Sequence, residues 1–195
     1  MVAYRPILLG GGLGLAACFA GFTLGQTPID DWQLAARYTA RISFFLFLIV
    51  YCTGPAFRVT RAEFLSPLLL DRRYWGLGFA LAHGIHLVAL VTYFWLSDRP
   101  PSMLSLLFGG FGYVLLLGLV VTSNDAAVRR LGRRWKTLHR VGVHYLWLIF
   151  ALTYLRRTPS PDLSAQGYAF FSIALAALAL RVFAHITAKR QRAAH

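Results

Sequence analysis

Six stretches of this 195-residue chain contain no Asp, Glu, Lys or Arg: Pro6–Ile29, Ile42–Phe57, Tyr74–Ser97, Pro100–Asn124, Val141–Leu155 and Leu163–Leu180. A helix crossing a bilayer needs roughly 20 predominantly apolar residues. Four of the runs reach or approach that length, and the second and fifth reach it with their amphipathic flanks, Gln33–Arg41 and Lys136–Arg140. The pattern predicts an all-α integral membrane fold. Its six helices fall near 6–25, 33–55, 73–97, 102–123, 135–155 and 166–188. Thr27-Pro28, Gly54-Pro55, Pro100-Pro101 and Pro159-Ser160-Pro161 fall between these helices or at their ends, where proline stops a helix. The connections are too short for a second domain, so residues 1–195 read as one transmembrane domain.

Charge bears on which side is which. The chain has 20 Lys+Arg against 7 Asp+Glu, a net charge of +13, yet 57% of it is hydrophobic and only 14% charged. A nucleic-acid-binding domain of this net charge would keep a large charged surface, so nucleic acid is excluded as the partner and membrane lipid takes its place. Basic residues of short loops stay on the cytoplasmic side. Placing the N-terminus inside puts Arg5, Arg58, Arg61, Arg72, Arg73, Arg129, Arg130, Arg133, Arg134, Lys136, Lys189, Arg190 and Arg192 in the cytoplasm. The opposite face keeps Arg99, Arg156 and Arg157 with Asp30, Asp31, Asp98 and Asp162. Both termini are therefore expected in the cytoplasm.

Two N-terminal patterns are decoys. Leu15-Ala16-Ala17-Cys18 resembles a lipoprotein cleavage site, but the apolar run continues to Leu24. Gly12-Leu13-Gly14-Leu15-Ala16-Ala17 fits a loose dinucleotide fingerprint with no strand before it. Gly10, Gly14, Gly21 and Gly25 instead form two GxxxG pairs, a pattern that lets helices approach closely in lipid. Cys18 and Cys52 lie inside apolar runs, too few for a thiolate metal site.

Ionisable groups inside a bilayer are costly and mark functional sites. His185 and His195 read as interfacial. His83 and His86 lie three apart on one face of the third span, and His139 and His144 lie five apart on the fifth. Counted from Ser97 and Leu155, His86 and His144 are at equal depth; His139 is about 7 Å nearer the cytoplasm. Zinc would need three or four ligands, and no carboxylate or thiolate lies at that level. A haem iron needs two axial nitrogens in a dry bundle interior. The histidines thus predict one haem b, with His86 and His144 as axial ligands and His83 and His139 as alternates. Arg37 and Arg41, one turn apart in the second span, are the candidate partners of the haem propionates. No residue pattern points to a bound flavin.

These residues also carry a family likeness. Arg72-Arg73-Tyr74-Trp75-Gly76-Leu77-Gly78-Phe79-Ala80-Leu81-Ala82-His83-Gly84-Ile85-His86 resembles the ferric-reductase-like transmembrane superfamily. The likeness is strongest to its branch of haem-binding membrane subunits of a bacterial periplasmic methionine sulfoxide reductase. Thr122-Ser123 followed by Arg130-Leu131-Gly132-Arg133-Arg134-Trp135-Lys136-Thr137-Leu138-His139-Arg140 is similar to the segment entering that branch's fifth span. Tyr38-Thr39-Ala40-Arg41 is similar to its second-span arginine motif. The resemblance covers about residues 35–155. It implies a six-helix b-type haem protein of the bacterial inner membrane. Electrons would come from a separate cytoplasmic flavoprotein, or the quinone pool, and pass to a periplasmic reductase. It implies His86 as ligand, His139 as the first span-five histidine and Arg41 as the span-two arginine. The family's second span-five histidine falls here on Leu152, and His144 stands in for it. The competing expectations are a terminal ferric or oxygen reductase at the outer face, and a non-redox membrane scaffold.

Overall fold

A computed structural model describes residues 4–159 and 163–193, so Ser160, Pro161, Asp162 and His195 lie outside the described residues. Among the described residues eight α-helices follow one another: α1 (Arg5–Leu24), α2 (Pro28–Thr60), α3 (Ser66–Leu70), α4 (Arg72–Ser97), α5 (Met103–Val121), α6 (Asp125–Leu131), α7 (Arg133–Leu155) and α8 (Ser164–Ala193). A single 3₁₀ turn, Glu63–Leu65, precedes α3, and no strand occurs among the described residues. The fold is all-α, as the apolar runs predict. Five helices, α1, α2, α4, α5 and α8, are long and apolar enough to cross a membrane. The sixth expected span, α7, has the length, but Arg133, Arg134, Lys136, His139 and Arg140 occupy its first turns and lower its apolar character. Large apolar side chains cover the outside of the spans, among them Leu8, Phe19, Val88, Trp95, Leu107, Val114 and Phe183. Such a surface is stable only against lipid or another protein.

Local chemistry sets the helix ends. Pro6 sits in the first turn of α1, where its missing N–H costs nothing. The Thr27 hydroxyl accepts from the Asp30 amide at 3.2 Å, Pro28 opens α2, and Asp30 and Asp31 meet the positive end of the helix. This cap starts α2 five residues before the expected position 33. Asp98 takes a left-handed φ of 48° and stops α4 ahead of Pro100-Pro101. Gly132, with φ of 50°, turns the chain from α6 into α7, a conformation that a side chain disfavours.

One expectation is corrected. Pro55 does not end the second span: α2 continues through it to Thr60. An interior proline lacks the N–H that would bond the carbonyl four residues earlier, here Tyr51. Arg181 of α8 supplies that donor, its Nη1 lying 3.0 Å from the Tyr51 carbonyl oxygen.

The chain forms two compact units, Met1–Val50 with Leu70–Leu106, and Tyr51–Leu69 with Leu107–His195. In the first, α1 packs along α4 through its glycines. A Cβ on Gly10 would run into the backbone of Gly78, and one on Gly14 would meet Ala82 Cα at 3.2 Å. Farther along α1, Gly21 lies against the backbone of Ala35 on α2. The GxxxG pattern therefore marks the helix contacts it was expected to mark. Ala35, Ala36 and Ala89 form a tight core there, flanked by Cys18, Trp32 and Leu90. In the second unit α7 packs on α8. Trp147 Nε1 donates to the Ala174 carbonyl at 2.8 Å, and the rings of Tyr154 and Phe170 stack at 4.7 Å. Cys18 and Cys52 are both free thiols.

Candidate functional site

The first unit carries His83 and His86 on α4, and their rings lie 5.1 Å apart. His83 is buried, with Phe79 at 5.4 Å on its other side. His86 Nδ1 lies 3.2 Å from the hydroxyl oxygen of Thr39 on α2. That hydroxyl spends its proton on the Ala35 carbonyl at 2.6 Å. Its oxygen is then left to accept, so the contact is a donation from His86 Nδ1–H.

The second unit carries His139 and His144 on α7. His144 Nδ1 lies 2.7 Å from the Arg140 carbonyl, an acceptor only. Here too Nδ1 carries the donated proton. His139 is arranged the opposite way. Its Nε2 is 3.1 Å from the Thr122 hydroxyl oxygen, whose own proton goes to the Gly118 carbonyl at 2.6 Å. His139 therefore donates from Nε2. Its ring stacks on Trp135 at 4.1 Å, and Trp135 Nε1 donates to the Thr122 carbonyl at 2.8 Å. Trp135 thus braces both His139 and Thr122.

Metal-bound imidazoles usually bind through one nitrogen while the other donates to a carbonyl, hydroxyl or carboxylate. The Nδ1 contacts of His86 and His144 have that form. Among the described residues no three His, Cys, Asp or Glu side chains converge as a metal site. A haem ligand needs no such cluster, and each imidazole by itself has the form of one. Along the chain α4 ends at Ser97 and α7 at Leu155, so His86 and His144 each stand 11 residues before the end of their own helix.

The arginines expected near the propionates lie on α2, in the first unit. Arg37 and Arg41 are one turn apart on a common face, and the Arg41 guanidinium lies 5.3 Å from the centre of the Tyr38 ring. Thr39 sits two residues from each, about 200° around the helix. The α2 face that meets His86 is therefore not the face from which the two arginines leave the backbone. His185 is exposed on α8, as expected of an interfacial residue.

Sequence reasoning missed three participants. Thr39 and Thr122 stood inside the quoted motifs without a role, and each proves to be the partner of a histidine. Arg181 was overlooked because it follows the last apolar run directly and reads as its boundary. The signal was there, since a lone cation inside a spanning helix is costly. Arg181 lies 4.5 Å from the centre of the Tyr51 ring, and that ring meets His144 edge-on at 5.9 Å.

Five helices long and apolar enough to cross a bilayer define the class as a multi-pass membrane protein. Sequence comparison gives the family. The chain is 30% identical over 181 residues to the protein-methionine-sulfoxide reductase heme-binding subunit MsrQ of Salmonella paratyphi B, covering 82% of this chain and 80% of that relative. The MsrQ subunits of Salmonella newport and Salmonella agona match to the same extent. This chain belongs to the MsrQ family. No family model matches it, and no solved structure matches it.

Proposed function

We propose that this chain is a six-span b-type haem subunit of a bacterial inner membrane that passes electrons from a cytoplasmic donor to a periplasmic methionine sulfoxide reductase. The observation that carries the reading is the shared placing of His86 and His144: the Nδ1 of each lies within hydrogen-bond distance of an oxygen of this chain, the arrangement of a ligating imidazole. The family supports it, since its curated relatives are named heme-binding subunits of that reductase. A haem held there supplies one-electron chemistry inside a barrier that bare charge crosses only at great cost.

The roles of the residues follow. His86 and His144 bind the iron of a single haem; the pairing rests on their matched register and tautomers. His83 packs beside His86 and keeps water from it. His139, proton on Nε2, is a supporting group. Arg37 and Arg41 are assigned to the propionates as the paired cations of the second span. In this reading α7 crosses the membrane with the five apolar helices, both termini are cytoplasmic, and residues 1–195 act as one functional domain. The donor is a separate flavoprotein or the quinone pool. The test is the visible spectrum of the purified protein, oxidised and dithionite-reduced. A low-spin bis-histidine b-type spectrum is expected. A colourless preparation from haem-replete cells would sink the proposal.

A further inference from the structure

A charged side chain within a spanning helix demands a reason. Arg181 lies on α8 within the stretch long and apolar enough to cross the membrane. Its electrostatic neighbours are Tyr51, Cys52, Arg58 and Arg140, none of them a carboxylate. Its contacts are with Tyr51: a hydrogen bond to the backbone carbonyl at 3.0 Å and a guanidinium over the ring at 4.5 Å. Both have a structural logic. The carbonyl is the one that Pro55 leaves without its helical donor. The ring is fully buried and meets the imidazole of His144 edge-on at 5.9 Å.

We propose that Arg181 is a positioning residue for His144. It replaces the amide that Pro55 lacks, which fixes the Tyr51 ring against the imidazole, and it holds a fixed positive charge beside that ligand. The second part rests on the haem reading; the first does not. A cation near the iron disfavours the more positive ferric state, so Arg181 raises the reduction potential.

The two parts separate in a cycle with Pro55. Alanine at 55 restores an N–H to the Tyr51 carbonyl, which makes the arginine's donation redundant but leaves its charge irreplaceable. The cycle uses the full chain in detergent or nanodiscs: wild type, Arg181→Met, Pro55→Ala and the double variant, with Arg181→Lys as the charge-retaining control. The melting temperature is expected to fall in Arg181→Met and to fall much less when Pro55→Ala is already present. Equal losses in the two backgrounds would overturn the backbone role, whether or not haem is bound. The potential is expected to drop in Arg181→Met and to stay low in the double variant, while Arg181→Lys stays near wild type. The expected size is about tenfold in the one-electron equilibrium, ~59 mV. A potential in the double variant equal to that of Pro55→Ala alone would overturn the charge role. A colourless wild type would refute the haem reading and the charge role together, and the melting cycle would still decide the backbone role. Should Arg181→Met fail to accumulate while the double variant does accumulate, that rescue itself supports the backbone role; failure of both overturns it.

Discussion

The hydroxyl of Thr39 accepts a hydrogen bond from His86 Nδ1 across 3.2 Å because its own proton is committed to the Ala35 carbonyl. A residue on α2 thereby decides which nitrogen of an α4 imidazole is available to iron. Thr39→Val keeps the shape of the side chain and removes the acceptor. It is expected to weaken haem binding about 10–100-fold, the usual cost of losing a partner of a metal ligand. Thr39→Ser, which keeps the oxygen, is expected to bind nearly as wild type. Haem titration of apoprotein checks both, and equal affinities for Val and wild type would remove Thr39 from the site.

The tautomers also rank the histidines. His86→Ala and His144→Ala are each expected to abolish the low-spin spectrum. His139→Ala is expected to leave it largely intact, because His139 spends its Nε2 proton on Thr122. Loss of the spectrum in His139→Ala with retention in His144→Ala would reverse the pairing.

Much of this was legible before any coordinates. Uncharged runs located the spans because lipid tolerates few other patterns, and the α1 glycines announced their contacts by spacing alone. Pro55 was misread because a local rule, that proline ends helices, was overridden by Arg181, a donor 126 positions away in sequence. The threonine partners were invisible for a related reason. A hydroxyl acquires its meaning only when its own proton is seen to be spent on the preceding turn, as in Thr39 and Thr122. Periodicity reports which face a residue occupies and is silent about where its proton goes.

The α1–α4 contact makes a packing prediction. Gly10 and Gly78 meet backbone to backbone, and a Cβ on Gly10 has no flexible neighbour to displace. Gly10→Val is expected to destabilise the protein by about 1–3 kcal/mol, the usual cost of overpacking a close contact. Gly12→Val, on the same helix but with open space at its Cβ, is expected to be nearly neutral. Melting temperatures in one detergent compare the pair; equal losses would show that the close approach is not what the glycines serve.

The last prediction concerns the donor. Arg129, Arg130, Arg133, Arg134 and Lys136 are all exposed around the α6–α7 turn at Gly132. None of Arg129, Arg130, Arg133, Arg134 and Lys136 makes a side-chain hydrogen bond among those described here. Such a cluster at the proposed cytoplasmic end attracts an acidic partner and speeds encounter in a salt-dependent way. Replacing Arg129, Arg130 and Lys136 by glutamine is expected to slow reduction of the haem by a cytoplasmic flavoprotein and to flatten its dependence on ionic strength. The dithionite-reduced spectrum is expected to be unchanged, since none of these side chains is assigned to the haem. Stopped-flow reduction at low and high salt provides the measurement. A rate and salt slope equal to wild type would place the donor elsewhere, and a lost spectrum would show that the cluster serves the fold instead.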